Sequence, residues 1–478
     1  MAKPACASGC GAKVEGSPED MAPEVWERVK DHPCYNSEAH HYFARMHVGV
    51  APACNIQCHY CNRKYDCANE SRPGVVSERL SPDQAVRKVM AVAAQVPQLS
   101  VVGIAGPGDA LADPERTFAT CERVAHVLPD VKLCLSTNGL ALPDHVTRIV
   151  ALGISHVTIT INAIDPEIGA QIYPWISFAG RRFTGVEGAT ILRDRQLLGL
   201  DMLVAAGVLV KVNSVMIPGI NDQHLKEVNA EVKRRGVFLH NIMPLISDPA
   251  HGTHYGLTGQ RGPTPQELKA LQDELSGGAA LMRHCRQCRA DAVGMLGSDQ
   301  SAEFTLDRIP EGESEGLSPE DVVKRKVYRE IVEAERADRR QAAEAADDMV
   351  AIAAPEEKML VAVCTQGGGR INIHFGKATE FPVYEVDSRG VRLIGHRRPR
   401  TNYCKGGYGE DDALGEIITA LEGVAAVLSV KIGNRPRKRL EEAGIKTAEY
   451  PQEYIETAVA AYFRDQTEAA TEDGRLTA

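Results

Sequence analysis

Cys54, Cys58 and Cys61 stand in a C-x3-C-x2-C spacing within one loop, Cys54-Asn-Ile-Gln-Cys58-His-Tyr-Cys61. Three thiolates at this spacing can hold three corners of a cubane iron–sulfur cluster, leaving the fourth iron without a protein ligand. A closed electron-transfer cluster normally takes four cysteines, so a set of three implies a substrate or cofactor at the open corner. The alternatives are a zinc knuckle or a chance grouping of buried thiols. A zinc ribbon favours paired C-x2-C units, and buried cysteines rarely crowd into a loop containing Pro and Asn.

Further thiols form two more candidate ligand sets. Cys285 and Cys288 make a C-x2-C pair with no partner pair elsewhere to complete a zinc site. Cys134 lies in a predicted strand whose alternation puts it on the same face as Ser136 and Asn138; a core thiol is the other reading. With the Cys285 pair it makes three ligands for another cluster. A third set surrounds the first loop: Cys34, the histidines His40, His41 and His47, then Cys67 and Glu70. Thiolate, imidazole and carboxylate all bind iron, and spacing alone does not choose among the histidines. Near the C-terminus, Cys364, His374 and Cys404 flank glycine-rich loops and are candidate metal ligands, with packing the alternative for Cys364. Cys6 and Cys10, in a tail, are unassigned, and so is Cys121, which is expected in a helix core.

The chain has 478 residues, 44% hydrophobic and 25% charged, with 13 cysteines and a formal net charge of −10. That is enough for two or three domains. The acidic balance excludes nucleic acid as the main partner. No apolar run reaches membrane-spanning length, and the first residues lack the apolar core of an export signal. The cysteines then read as metal ligands and reduced core thiols of a cytoplasmic protein.

The elements that must position these residues alternate strand and helix. Strands are predicted at Met46–Val50, Leu99–Ala105, Lys132–Thr137, His156–Ile161, Val208–Met216 and Val237–Ile242. Helices are predicted at Ser81–Val96, Pro114–Leu128, Pro143–Leu152, Gly188–Ala206 and Asp222–Arg235. Ser81-Pro82 and Asp113-Pro114 are expected to cap helix starts, and Gly153, Gly207 and Gly236 to end them. Six such repeats imply an α/β fold with a parallel sheet curled into a partial or closed (β/α) barrel, with its chemistry in the loops after the strands. Polar and glycine-rich residues recur at that end: the three cysteines, Gly106-Pro-Gly108-Asp109, Asn138 and Asn162. The glycines are expected to let backbone approach a charged ligand, and Asp109 to meet its amino group. The expected organisation is an irregular segment supplying cluster ligands at 1–45, the barrel with its cysteine-pair extension at 46–300, a charged helical linker at 301–356, a small α/β domain at 357–465, and a tail at 466–478.

The first loop, with Tyr60 before its last cysteine, resembles the radical S-adenosylmethionine superfamily. More narrowly, HPCYNSEAHHYFARMHVGVAPACNIQCHYC resembles the signature of the NifB family of nitrogenase cofactor biosynthesis proteins. The likeness continues through AGPGDALADP, LCLSTNG, VTITINAIDP, NSVMIPGIND and CRQCRADAVGMLG. LVAVCTQGGGRINIHFGKATEFPVYEVD resembles the NifX/NafY-type, ribonuclease H-like domains that bind nitrogenase cofactor or its precursor. The resemblance implies one catalytic 4Fe–4S cluster on Cys54, Cys58 and Cys61, with S-adenosylmethionine at its open iron. Gly106, Gly108, Asp109, Asn138 and Asn162 would contact that cofactor. It implies two substrate 4Fe–4S clusters, one on Cys34, Cys67 and His47 with Glu70 nearby, the other on Cys134, Cys285 and Cys288. The implied reaction fuses them around a carbide taken from S-adenosylmethionine, with His47 or Glu70 as base. Implied partners are nitrogenase cofactor carriers and scaffolds, iron–sulfur assembly proteins, and an electron donor such as ferredoxin or flavodoxin. A non-catalytic cluster scaffold, or a radical enzyme acting on a peptide or small molecule, are the competing readings.

Overall fold

A computed structural model describes residues 21–62, 78–276, 280–310, 316–351, 358–399, 403–405, 408–409 and 411–476. The described residues form two compact units, one of residues 28–329 and one including residues 330–478.

The larger unit is built on a seven-stranded sheet. Its strands are Ala44–His47 (β1), Leu99–Ile104 (β2), Lys132–Thr137 (β3), His156–Thr160 (β4), Leu209–Met216 (β5), Leu239–Pro244 (β6) and Val293–Met295 (β7). Their spatial order is β7-β1-β2-β3-β4-β5-β6, so the sheet is open at β6 and β7. β1 to β6 are parallel, and β7 lies antiparallel against β1. The six predicted parallel strands are therefore present as a half-barrel. β1 begins two residues earlier than the sequence suggests, so Arg45 belongs to a strand rather than to an irregular segment.

Side-chain alternation gives the sheet two unlike faces. One carries Met46, Leu135, Val157, Ile159, Val210, Val212 and Ile242, all in a single apolar core with helix residues such as Val89, Phe118, Leu200 and Val228. The other is polar. Register pairs His47 with Gly103 and Gly103 with Cys134, and Cys134 with His156. The next layer runs Ser136–Thr158–Lys211, and the one above it Thr160–Asn213–Asn241. With helices covering only one face, these polar layers are the inside of the half-barrel.

Local chemistry explains most boundaries. Ser81 and Gln84 form a reciprocal capping box on the helix Pro82–Gln95. Asp113, expected to cap the helix Pro114–Val127, makes no side-chain cap bond. Gly153, Gly207 and Gly236 all take the left-handed conformation expected after helix ends. A small three-stranded sheet, Ile56–Gln57 with Trp175–Phe178 and Arg181–Phe183, lies beyond the main one and was not foreseen. The stretch after residue 300 is not detached, for Phe304 and Ile309 are buried in the main core. Arg325, at the start of the helix Pro319–Val350, bonds Asp130 at 2.8 Å and the Leu99 carbonyl at 2.7 Å.

The second unit has a five-stranded sheet of Lys358–Val363 (β8), Phe381–Asp387 (β9), Gly390–Arg397 (β10), Ala426–Ser429 (β11) and Lys446–Glu449 (β12). Its order is β10-β9-β8-β11-β12, with β9 antiparallel to both neighbours and the β8–β11–β12 pairs parallel. This is the small α/β, ribonuclease H-like arrangement expected. Apolar cores cover both faces, Phe381, Val383 and Val427 on one, and Val361, Val386 and Leu428 on the other. The last helix runs Ile455–Leu476, beyond the boundary expected at residue 465.

Asp130→Ala would strand the Arg325 guanidinium, whose side chain is only 3% exposed. The expected loss is about 2 kcal/mol, read as a lower urea midpoint for the larger unit. An unchanged midpoint would show that the Asp130–Arg325 pair does not contribute to its stability.

Candidate functional site

The Cys54–Cys61 loop leaves β1 and is held almost wholly by backbone. Gly108 N donates to the Ala51 carbonyl at 2.6 Å, and Asp109 N to the Ala53 carbonyl at 2.7 Å. A side chain at Gly108 would overlap the Ala53 carbonyl and lie 2.9 Å from the Ala51 oxygen. The glycine loop thus does permit close approach, but of chain to chain. On the other side Ile56 pairs with Ile176, and His59 N bonds the Ile172 carbonyl at 2.9 Å. Gln57 Nε2 donates to the carbonyls of Cys58 and Cys61, at 3.0 and 2.8 Å, and closes the turn on itself.

Asp109 is fully buried and its carboxylate is spent on the framework. It accepts from Asn138 N at 2.5 Å, Thr137 Oγ1 at 3.1 Å and Leu111 N at 2.9 Å. Burial raises its pKa against these donors. Asp109 ties the glycine loop to the end of β3. Asn162 is likewise consumed. Its amide donates to the hydroxyls of Tyr60 and Tyr173 at 2.8 and 2.9 Å, and its oxygen accepts from Val215 N at 2.7 Å. It fixes the aromatic of the cysteine loop and leaves little for a ligand. Asn138 lies closer to the chemistry. Its Nδ2 bonds Asn55 Oδ1 at 2.7 Å and sits 3.9 Å from Cys54 Sγ, while Leu140 N bonds its oxygen.

Cys58 is buried, whereas Cys54 and Cys61 are partly exposed. Burial, then the neighbouring Cys61 and Cys54 sulfurs, push the Cys58 thiol well above its ordinary value. Three soft donors that oppose one another's ionisation suit a centre of several iron cations. Among the described residues no three Cys, His, Asp or Glu side chains converge on a single ion. A cubane presents its irons at separate corners, so its ligands surround the cluster and need not meet at one point.

The inner face carries polar atoms that sequence reasoning missed. Ser136 Oγ, Thr158 Oγ1, Thr160 Oγ1 and Asn241 Oδ1 are buried with no hydrogen-bond partner. Such atoms are costly unless a ligand or water meets them. Strand parity already put Ser136 with Asn138, and the same parity puts Thr158 and Thr160 with Asn162.

Of the remaining predicted ligands, His47 and Cys134 lie on the inner face of β1 and β3, and Cys34, Cys285 and Cys288 lie on the chain beside it. His47 Nδ1 is 2.9 Å from the Arg289 carbonyl, which can only accept, so the ring hydrogen is on Nδ1 and the lone pair of the neutral ring on Nε2. A side chain at Gly103, between His47 and Cys134, would stand 3.1 Å from the His47 ring. His284 Nε2 bonds the Pro33 carbonyl at 3.0 Å, joining the chain before Cys285 to that before Cys34. Asn241 Nδ2 donates to Cys285 Sγ at 3.2 Å. Cys285 also packs on the apolar cluster that carries Cys54, Cys58 and Cys61. Arg45, not foreseen, donates from Nε to Cys288 Sγ at 3.3 Å. Cys67 and Glu70 lie outside the described residues, as do Cys6 and Cys10.

Cys121 is a core thiol pushed up to about 12 by burial. Cys364 is a buried member of the second unit's core, and burial raises its thiol too. Gly376 N donates to His374 Nδ1 at 3.1 Å, and the Cys404 sulfur occupies the space where a Gly376 side chain would be.

The sequence pattern of the Radical SAM superfamily matches residues 48–231, and that described as dinitrogenase iron-molybdenum cofactor matches residues 357–465. The FeMo cofactor biosynthesis protein NifB of Sinorhizobium fredii is 60% identical over 475 residues, covering 98% of this chain and 94% of its own. That of Rhodobacter capsulatus is 62% identical over 449 residues, 93% of this chain and 98% of its own. That of Azotobacter vinelandii is 54% identical over 485 residues, 98% and 95% respectively. Among solved structures, Streptococcus suis SuiB bound to precursor peptide SuiA matches 54% of this chain and 52% of its own. Its identity is 10% and its TM-score 0.35, a likeness too slight to bear on function.

Gly108→Ala forces the Ala51–Ala53 backbone away. After anoxic reconstitution it is expected to bind less iron than the parent chain, with its circular dichroism unchanged. Full loading would remove the backbone contact as the determinant of that loop.

Proposed function

Because the chain belongs to the NifB family of FeMo cofactor biosynthesis proteins and carries a radical S-adenosylmethionine domain, we propose that it fuses two 4Fe–4S substrate clusters around one carbon atom. The product is the 8Fe–9S–carbide precursor of the nitrogenase cofactor. What supports this reading is the meeting of three cysteine-bearing segments, around Cys34, Cys54 and Cys285, at one polar face. A single catalytic cluster needs only the second.

A 4Fe–4S cluster on Cys54, Cys58 and Cys61, with S-adenosylmethionine at its open iron, supplies reductive cleavage to a 5′-deoxyadenosyl radical. The chain's own residues do the rest. Asp109 and Gly108 keep the loop in place, and Asn162 holds Tyr60 behind it. Ser136, Thr158, Thr160 and Asn241 offer the unmet polar atoms that a small polar cofactor requires. The apolar cluster around Cys58 excludes water from the reacting centre.

Cys34, Cys67 and His47 hold one substrate cluster, with Glu70 beside it, and Cys134, Cys285 and Cys288 hold the other. The two clusters contribute eight irons and eight sulfides, so the ninth sulfur comes from outside. The carbon arrives as a methyl group from S-adenosylmethionine, which leaves as S-adenosylhomocysteine, and sheds three hydrogens, one to the radical and two as protons; the three electrons that complete the carbide come from the irons of the two substrate clusters and the external donor. The Nε2 lone pair of His47 suits it to bind iron or to accept a proton. The domain at 357–465 holds the product for carrier and scaffold proteins, iron–sulfur assembly proteins supply the clusters, and ferredoxin or flavodoxin supplies the electron.

A cluster scaffold would use the same cysteines without cleaving S-adenosylmethionine. Cys58→Ala is expected to abolish 5′-deoxyadenosine formation while the substrate clusters still load. Cys285→Ala is expected to keep the cleavage and lose the fused product. Absence of 5′-deoxyadenosine from the reduced, reconstituted parent chain would exclude the enzyme reading in favour of the scaffold.

A further inference from the structure

Arg45 is a buried guanidinium for which the proposed chemistry has so far found no use. It lies on β1 two residues before His47, on the same face, and is 2% exposed. Nη1 donates to the Gly294 carbonyl at 2.6 Å, across the β1–β7 pair, while Nε donates to Cys288 Sγ at 3.3 Å. One arm is thus anchored to the sheet and the other aimed at a thiol. Asp299 is the nearby carboxylate, held by Val293 N and Ser301 N, and no direct bond joins it to Arg45 among the contacts of the described residues.

A buried cation of this kind is expensive unless anions face it. Arginine cannot escape the cost by losing its proton. Beside it lie Cys288, a ligand of one substrate cluster under the proposed function, and His47, a ligand of the other, two residues on along the same face of β1. Thiolate-bound iron–sulfur clusters are anionic, and two of them must be brought together against their repulsion.

We propose that Arg45 is a positioning residue for the pair of substrate clusters. Its Nε–H holds Cys288 Sγ in place, and its charge offsets the repulsion between the cluster bound through Cys288 and the one bound through His47. This rests on the ligand assignment given under the proposed function, so the test must separate the two.

Arg45→Gln keeps a donor for the Gly294 carbonyl and removes the charge; Arg45→Lys keeps the charge and loses the fork. Both are compared with Cys288→Ala in the full chain, reconstituted anoxically. The readouts are iron and acid-labile sulfide per chain and the reduction potentials of the clusters, with circular dichroism as the check of folding. Arg45→Gln is expected to lose up to about one of three cubanes, or to shift a substrate-cluster potential to more negative values, because a neighbouring cation favours the reduced state. Arg45→Lys is expected to restore both. Arg45→Gln with the parent's iron content and potentials overturns the proposal, and so does Arg45→Lys behaving like Arg45→Gln. Should Arg45→Gln not fold, Arg45→Lys decides alone, full loading supporting the role of charge and loss of iron overturning it. If Cys288→Ala keeps every iron, it is the ligand assignment that fails.

Discussion

The carbonyl oxygens of Ala51 and Ala53 govern the geometry of the larger unit's site. They accept the amides of Gly108 and Asp109, and through them the cysteine loop is fastened to the loop after β2. The Asp109 carboxylate carries the connection on to the end of β3. Three successive strand ends are thereby locked to one another by main chain and a single buried acid. Such contacts do not involve the cysteine sulfurs, so a cysteine can be changed without loosening the frame that carries it.

The two faces of the half-barrel divide the work of stability and chemistry. Apolar burial against the helices fixes the sheet, and the inner face is left free to carry polar and charged side chains that no well-packed core would accept. Arg45 and His47 are neighbours on one strand and both are oriented by carbonyls of the chain around β7. That short antiparallel strand does more than end the sheet. It brings the Cys285–Cys288 segment alongside β1 and gives Arg45 its anchor.

The parallel strands and most helix ends could be read from the sequence because their signals are local: alternation, caps and left-handed glycines. β7 could not, since three residues carry no periodicity and their place depends on register with β1. The hairpin Trp175–Phe183 is hidden for the same reason. The residues at strand ends were legible as a group, while their individual bonds were not. A buried Asp or Asn beside a glycine loop can face a ligand or satisfy backbone, and only geometry distinguishes the two. Asp109 and Asn162 satisfy the framework, while the plainer Ser136, Thr158, Thr160 and Asn241 are left with unmet polar atoms. Arg45 was within reach of the parity argument applied to Cys134, had the strand been started at Ala44.

The unmet polar atoms of the inner face also bear on how long the protein lasts in a cell. Each is a debt of solvation that bound ligand settles, so occupancy adds to folding free energy by mass action. A chain awaiting its ligands is the less stable form and spends more time open to proteases. Supply of the ligand that meets those atoms would then bear on how long the chain survives.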